Sequence, residues 1–226
     1  MTSNLLFITT NYSGCKCGEN NCDCINDTGV YLEEFAVPYL VFEKSDINVV
    51  VASPQGKLSP VDESSMSCSN PEEWDKCIKV LRNTEKLSEV NLEEFDGVYF
   101  PGGHGPMFDI AEDSDVRIAV EYFYNNNKLI SAICHGVAGL VNATDKCGNP
   151  IVMRKRITSF TNKEESISKY QDLVPFLLET RLRELGADYV AEEPFSEHVE
   201  VDGNIITGQN QKSSLLIAEK IVEFLS

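Results

Sequence analysis

Short apolar runs bounded by polar residues or glycine alternate with segments of helical period along most of the chain, and this alternation is its first structural signal. Residues 4–10 and 47–53 are rich in Leu, Ile and Val, and residues 30–44 between them carry a helical pattern; together they predict one βαβ unit. Residues 97–101 (GVYFP) and 128–134 (KLISAIC) are two further buried-strand candidates, with an acidic helix predicted over 113–126 between them. Residues 151–160 predict a strand or hairpin. Residues 170–185 predict a helix that spreads Leu173, Phe176, Leu177 and Leu182 over neighbouring faces. Two more strands are predicted over 187–191 and 198–207, the second carrying Asp202-Gly203, a hairpin-turn signal. Residues 213–225 close the chain as a helix, with Leu216, Ala218, Ile221, Val222 and Leu225 forming a stripe behind a serine-rich cap. Residues 54–70 show no clear period. A loop of that length in a compact domain is usually functional or mobile, and this one is expected to overhang a site. The pattern predicts an α/β fold: a single flavodoxin-like domain over 1–226 with a mostly parallel central sheet and helices on both faces.

Charge and cysteine content narrow the classes of function. With 19 basic against 36 acidic residues the net charge is −17, which argues against a nucleic-acid partner and against attraction to an anionic membrane. The apolar run Leu5-Leu6-Phe7-Ile8 is far shorter than a secretory or spanning segment and no basic stretch precedes it, so a cytoplasmic protein is expected. Eight cysteines stand at 15, 17, 22, 24, 68, 77, 134 and 147, and a reducing compartment disfavours structural disulfides among them.

In an open α/β sheet, ligands bind beyond the carboxyl ends of the strands, so polar residues directly after a strand are the candidates for chemistry. Three places qualify: residues 9–14 (TTNYSG), residues 102–105 (GGHG), and Cys134-His135. A cysteine where strand turns sharply into helix has the setting of a nucleophile elbow, and a helix N-terminus there favours thiolate over thiol. Against this stands a small buried residue in an ordinary βα loop. If the loops converge, the backbone N–H groups of His135 and Gly103 are natural oxyanion donors. His135 needs a carboxylate to orient it, and Glu164 and Glu165 after the 151–160 segment are candidates, although an acidic pair at a helix start is also ordinary dipole chemistry. Glu33 and Glu34 lie in an otherwise apolar helix interrupted by Pro38; a carboxyl from that helix placed beside a thiolate would keep its proton.

The chain at this point resembles the ThiJ/PfpI superfamily, with its class I glutamine amidotransferase-like fold, and within it the glyoxalase III branch of heat-shock chaperone-like proteins. The matching motifs run in order: TGVYLEEFAVPY (28–39), ASPQGKLSPVD (52–62), FPGGHGPMFD (100–109), AICHGVAGL (132–140), ITSFTNKEE (157–165) and VDGNIITGQNQKSS (201–214). The resemblance implies Cys134 as nucleophile, His135 as its partner, Glu165 as the orienting acid and Glu34 as the carboxyl beside the thiol. It places the Gly103 and His135 amides at an oxyanion site and His104 at the pocket edge. It further implies conversion of methylglyoxal, a small 2-oxoaldehyde, to lactate without metal, glutathione or other cofactor; protein deglycation and holdase chaperone activity are attributed to relatives. Relatives are often homodimers, though no interface is legible here. The competing functions are a stress chaperone, a thiol redox sensor, and amidase or peptidase chemistry on the same elbow.

Two departures stand out. Where relatives commonly have SPxGG, this chain has Gln55-Gly56-Lys57, which puts the shape of the pocket in question. Residues 14–24 (GCKCGENNCDC) form a cysteine-rich loop whose Cys15, Cys17, Cys22 and Cys24 are the candidates for a tetrahedral zinc site. Each pair is separated by one residue where two to four are usual for zinc, so a polar loop or a redox-active thiol cluster competes with that reading.

Overall fold

The computed structural model describes residues 2–14, 25, 27–67 and 70–226. Nine strands, β1 Ser3–Ile8, β2 Ile47–Ser53, β3 Glu85–Lys86, β4 Gly97–Phe100, β5 Leu129–Ile133, β6 Arg156–Ile157, β7 Asp188–Tyr189, β8 Val199–Asp202 and β9 Ile205–Gly208, are found among the described residues. The helices are α1 Leu32–Lys44, α2 Trp74–Leu81, α3 Ser114–Asn125, α4 Asn162–Ser168, α5 Leu178–Glu184 and α6 Ser214–Leu225. Seven strands form one sheet in the order β3-β2-β1-β4-β5-β9-β8. All its pairs are parallel except β8–β9, which is the hairpin signalled by Asp202-Gly203. The expected fold class, a mostly parallel sheet covered by helices, is observed.

Strand alternation explains the two layers. Leu5, Phe7, Tyr99, Leu129 and Ile133 point to the face covered by α1, α2 and α6, while Leu6, Ile8, Val98, Phe100 and Ile130 point to the face covered by α3 and α5. The chain leaves β1 through α1 to β2 on one side and returns as β4 on the other side of β1. This reversal of strand order opens a crevice above the carboxyl ends of β1 and β4. The register Phe100↔Ala132 brings the loop after β4 beside the turn after β5.

Three expectations change. The helix predicted over 170–185 is confined to Leu178–Glu184. Pro175 lacks an N–H and clashes with the preceding turn, so the helix begins only beyond it. The 151–160 segment contributes only β6, which pairs in parallel with β7 rather than folding into a hairpin. Ile151 and Val152 instead turn into the core, and Arg154 adopts a left-handed backbone, φ 59°. The element after Cys134 is a 3-10 helix over Cys134–Leu140, not an α-helix.

Residues 54–67 are held as a folded loop; residues 68 and 69 lie outside the described residues. Val30 N–H donates to Pro60 O, Asp62 N–H to Val30 O, and Leu32 N–H to Ser65 Oγ, so the loop caps the start of α1. Lys57 stands in the left-handed region, φ 64°, where a glycine would be unstrained, and Lys57 and Thr84 exchange backbone hydrogen bonds of 2.8 and 2.7 Å. Lys57 does not line the cavity described below, so the missing second glycine acts on loop strain and not on pocket shape. No helix among the described residues is long and apolar enough to cross a membrane.

Candidate active site

The thiol of Cys134 sits at a strained turn. Its φ of 56° is left-handed for a non-glycine residue and projects the side chain from the end of β5 into the crevice, the geometry of a nucleophile elbow. The residue is nevertheless only 5% exposed. Burial, reinforced by the carboxyl of Glu34, pushes its pKa well above the ordinary thiol value, and the hydrogen bond from the His135 amide opposes this only in part. The expectation that the helix end makes a resting thiolate is therefore corrected: a short 3-10 turn carries a small dipole, and desolvation beside an acid outweighs it.

Glu34 reaches the thiol from the first turn of α1. Pro38, one helical turn on, has no N–H for the Glu34 carbonyl, and the Tyr99 hydroxyl of β4 donates to that carbonyl instead at 2.7 Å. The helix is thereby pinned to the sheet at the residue whose carboxyl matters. Glu34 is fully buried; Oε2 accepts from Gly102 N–H at 2.8 Å, and the Cys134 thiol lies within hydrogen-bonding reach of the carboxyl. Oε1 has no partner of good hydrogen-bond geometry. Burial pushes the Glu34 pKa up to about 8, with Cys134 and the Gly102 N–H only partly offsetting it, so the carboxyl holds its proton at neutral pH. Its neighbour Glu33 is half-buried, its pKa raised by burial and lowered by Lys212.

On the other side of the thiol, His135 Nδ1 lies 3.4 Å from Cys134 Sγ and Nε2 lies 2.7 Å from Glu165 Oε2. Glu165 Oε1 meets His104 Nε2 at 2.9 Å. An ionised carboxylate only accepts, so both imidazoles present Nε2–H to it, and His135 Nδ1 faces the thiol. Burial alone would raise the Glu165 pKa; the two imidazoles outweigh burial and hold it well below the ordinary carboxylate range. Burial, then His135, lowers the pKa of His104, whose ring centroid is 4.2 Å from that of His135 and 4.5 Å from that of Tyr170.

Glu164, the alternative orienting acid, is equally buried but turned away. It closes a capping box with Thr161 and accepts from Phe195 N–H, Gln209 Nε2 and Asn210 Nδ2, fixing the start of α4 so that Glu165 faces His135. Glycine is required after β4. A Cβ on Gly102 would lie 2.5 Å from Glu34 Oε2, and Gly103, at φ 95°, would place one 2.1 Å from Gly29 O.

These groups line or back a cavity of ≈ 270 Å³ that also takes in Tyr31, Asp62, Phe160, Tyr170, Phe195 and Gln211. The structure brings Cys134, His135, Glu34, Glu165, Gly103 and His104 together. Sequence reasoning missed the cavity walls and the Tyr99 anchor. The latter had a signal, a proline inside an apolar helix facing a strand with one hydroxyl. His104, His135 and Glu165 have ligand atoms within 4.8 Å of one another, the spacing of a metal site, but both carboxylate oxygens are already engaged by the imidazoles. Cys15, Cys17, Cys22 and Cys24 lie outside the described residues.

Known proteins share this architecture. The chain is 29% identical over 209 residues to Glyoxalase 3 of Candida albicans, covering 86% of this chain and 89% of that protein. The crystal structure of glyoxalase III from Candida albicans superposes with a TM-score of 0.83 at 27% identity, covering 98% and 97% of the two chains. The Rapid Encystment Protein of Francisella tularensis superposes with a TM-score of 0.90 at 34% identity, covering 99% of each. Residues 24–224 match the model of one family, and by that match the chain belongs to the DJ-1/PfpI family.

Proposed function

We propose that the protein is a glutathione-independent glyoxalase that converts methylglyoxal and related 2-oxoaldehydes to 2-hydroxy acids. The observation that carries this reading is a buried thiol held between a protonated carboxyl, Glu34, and an imidazole backed by a carboxylate, His135 and Glu165. The glyoxalase names of the relatives agree with it.

The chemistry needs a nucleophile, a store for its proton, and a second group that can move a proton between adjacent carbons. The thiol proton passes to His135 Nδ1, where Glu165 stabilises the imidazolium, and sulfur adds to the aldehyde carbon. Glu34 gives its proton to the new alkoxide, completing a hemithioacetal. The carboxylate so formed takes the carbon-bound proton and returns it to the neighbouring carbon, while the hydroxyl proton moves to the second oxygen. This leaves a thioester. Water cleaves it, the Glu34 carboxylate taking the water proton while imidazolium protonates the departing sulfur, so that both groups regain their starting states and the 2-hydroxy acid leaves and ionises in solution. Gly103 lines the cavity, and its amide is the donor this reading assigns to the oxygen that becomes negative.

The test is lactate formation from methylglyoxal without added thiol by the wild type, Cys134→Ala and Glu34→Gln. The reading expects activity in the first and none above background in the second. Robust turnover by Cys134→Ala would sink it.

A further inference from the structure

We infer that the site selects its substrates by charge, admitting neutral and cationic carbonyl compounds and rejecting anionic ones, and that Asp62 is the specificity-determining residue. The inference deepens the glyoxalase reading and rests on it for the substrate class, but its geometry is independent of turnover.

Asp62 lies on the cavity wall beside Ser64 and is only 7% exposed. Its Oδ2 accepts from Thr28 Oγ1 at 2.9 Å, and its Oδ1 accepts from Ser64 N–H at 2.9 Å and Ser64 Oγ at 2.5 Å. All three partners are neutral donors, and the described residues give Asp62 no cation. A carboxylate satisfied by hydrogen bonds but not neutralised projects its field into the space it borders. That field reaches Tyr31, Glu34 and His104, all on the same cavity.

No lysine or arginine lines the cavity among the described residues. Lys212, next to the lining residue Gln211, is exposed and acts on Glu33. The imidazoles of His104 and His135 on these walls are already engaged by Glu165, so no free cation on the described walls would offset a carboxylate or phosphate on the substrate, and the reaction itself adds an oxyanion to the same space. Across a few ångströms in a medium of intermediate dielectric, one repulsive unit charge weakens entry on the order of tenfold or more. A cavity of this size also leaves room for a substituent beyond the reacting carbonyls, and Tyr170, Phe160 and Phe195 offer it aromatic faces.

Two probes separate charge from chemistry. Iodoacetamide and iodoacetate alkylate thiols alike except that the second is an anion, and exposed Cys147 is an internal reference for their intrinsic difference. Mass spectrometry of the Cys134 and Cys147 peptides should give an amide-to-acetate rate ratio at least about tenfold larger at Cys134. In Asp62→Asn, whose Oδ1 keeps the Ser64 bonds and whose amide can donate to Thr28 Oγ1, that excess should shrink several-fold. In Ser64→Lys, which puts a cation on the rim, it should shrink again. Equal ratios at the two cysteines, or an excess untouched by both variants, would overturn the inference. The second probe compares 4-methoxyphenylglyoxal with 4-carboxyphenylglyoxal as substrates: the wild type should favour the neutral compound, and Asp62→Asn should narrow the gap in kcat/KM. Charge-selective alkylation without turnover of methylglyoxal or either aryl glyoxal would retain Asp62 as the selector while removing the glyoxalase reading. Equal turnover of the two aryl glyoxals by the wild type would count against Asp62 and leave that reading standing.

Discussion

A glutamate with no exposed surface, and with only one backbone N–H donating to its carboxyl, keeps its proton into the neutral range, and the chemistry proposed above depends on that proton. Glu34→Gln retains a donor toward sulfur but removes the group that carries a proton between carbons. It should lower kcat by about 10² to 10⁴-fold while Cys134 remains open to alkylation, a contrast that steady-state kinetics and mass spectrometry read side by side. In the wild type, kcat/KM should fall as pH rises through about 8, where Glu34 loses its proton, and Glu34→Gln should lack that limb. Gly102→Ala tests the same contact sterically. Its Cβ would meet Glu34 Oε2 at 2.5 Å and Ile133 O at 2.8 Å, so the carboxyl must leave its position. The expected result is a protein whose circular dichroism is near normal and whose turnover is at least about tenfold lower.

At the scale of elements, α1 and α4 deliver the two carboxyls, and each is anchored by a bond its own backbone or cap does not ordinarily make. Tyr99→Phe strands the Glu34 carbonyl in α1, buried and opposite a proline. It should cost about 1–3 kcal/mol by urea denaturation, with activity falling alongside because the anchored residue is Glu34 itself. In α4, Glu164→Ala would leave the N–H groups of Thr161 and Phe195 and the amides of Gln209 and Asn210 short of their acceptor. A loss of about 3 kcal/mol or more is expected, again measured by denaturation.

The whole molecule should show a matching dependence of stability on pH. Glu34 has a folded pKa raised above its unfolded value, so its contribution is fully present below about 4.5 and is lost as pH rises through about 8. Glu165 has a depressed folded pKa, so its contribution is present above about 4.5 and lost as pH falls toward that depressed value. Urea midpoints measured from pH 4 to 9 should therefore decline between about 4.5 and 8 and level off above that, and Glu34→Gln should flatten that decline. An unchanged decline over that range in the variant would remove Glu34 as its source.

The sequence by itself determined the layers and singled out the groups that the fold brings together around the cavity. Continuous apolar runs specify strands buried on both faces, and a thiol at a strand end, followed by an acid pair after a later segment, is readable because such positions project into one crevice. Local sequence alone did not choose between the acids of each pair; Glu34 and Glu165 were implied by the resemblance to a family. Glu33 and Glu34, and Glu164 and Glu165, are adjacent in sequence and differ only in the direction a helix turn gives them. Nor could it show that the Cys134 pKa is pushed well above the ordinary thiol value, since that depends on burial and on the carboxyl brought from α1. The helix lost before Leu178 was legible in Pro175, but the pairing of β6 with β7 was not, because parallel partners some thirty residues apart leave no local mark. Asp62 belongs to the same class: a residue of an unpatterned loop becomes a wall of the site only when hydrogen bonds to the start of α1 fold that loop over the crevice.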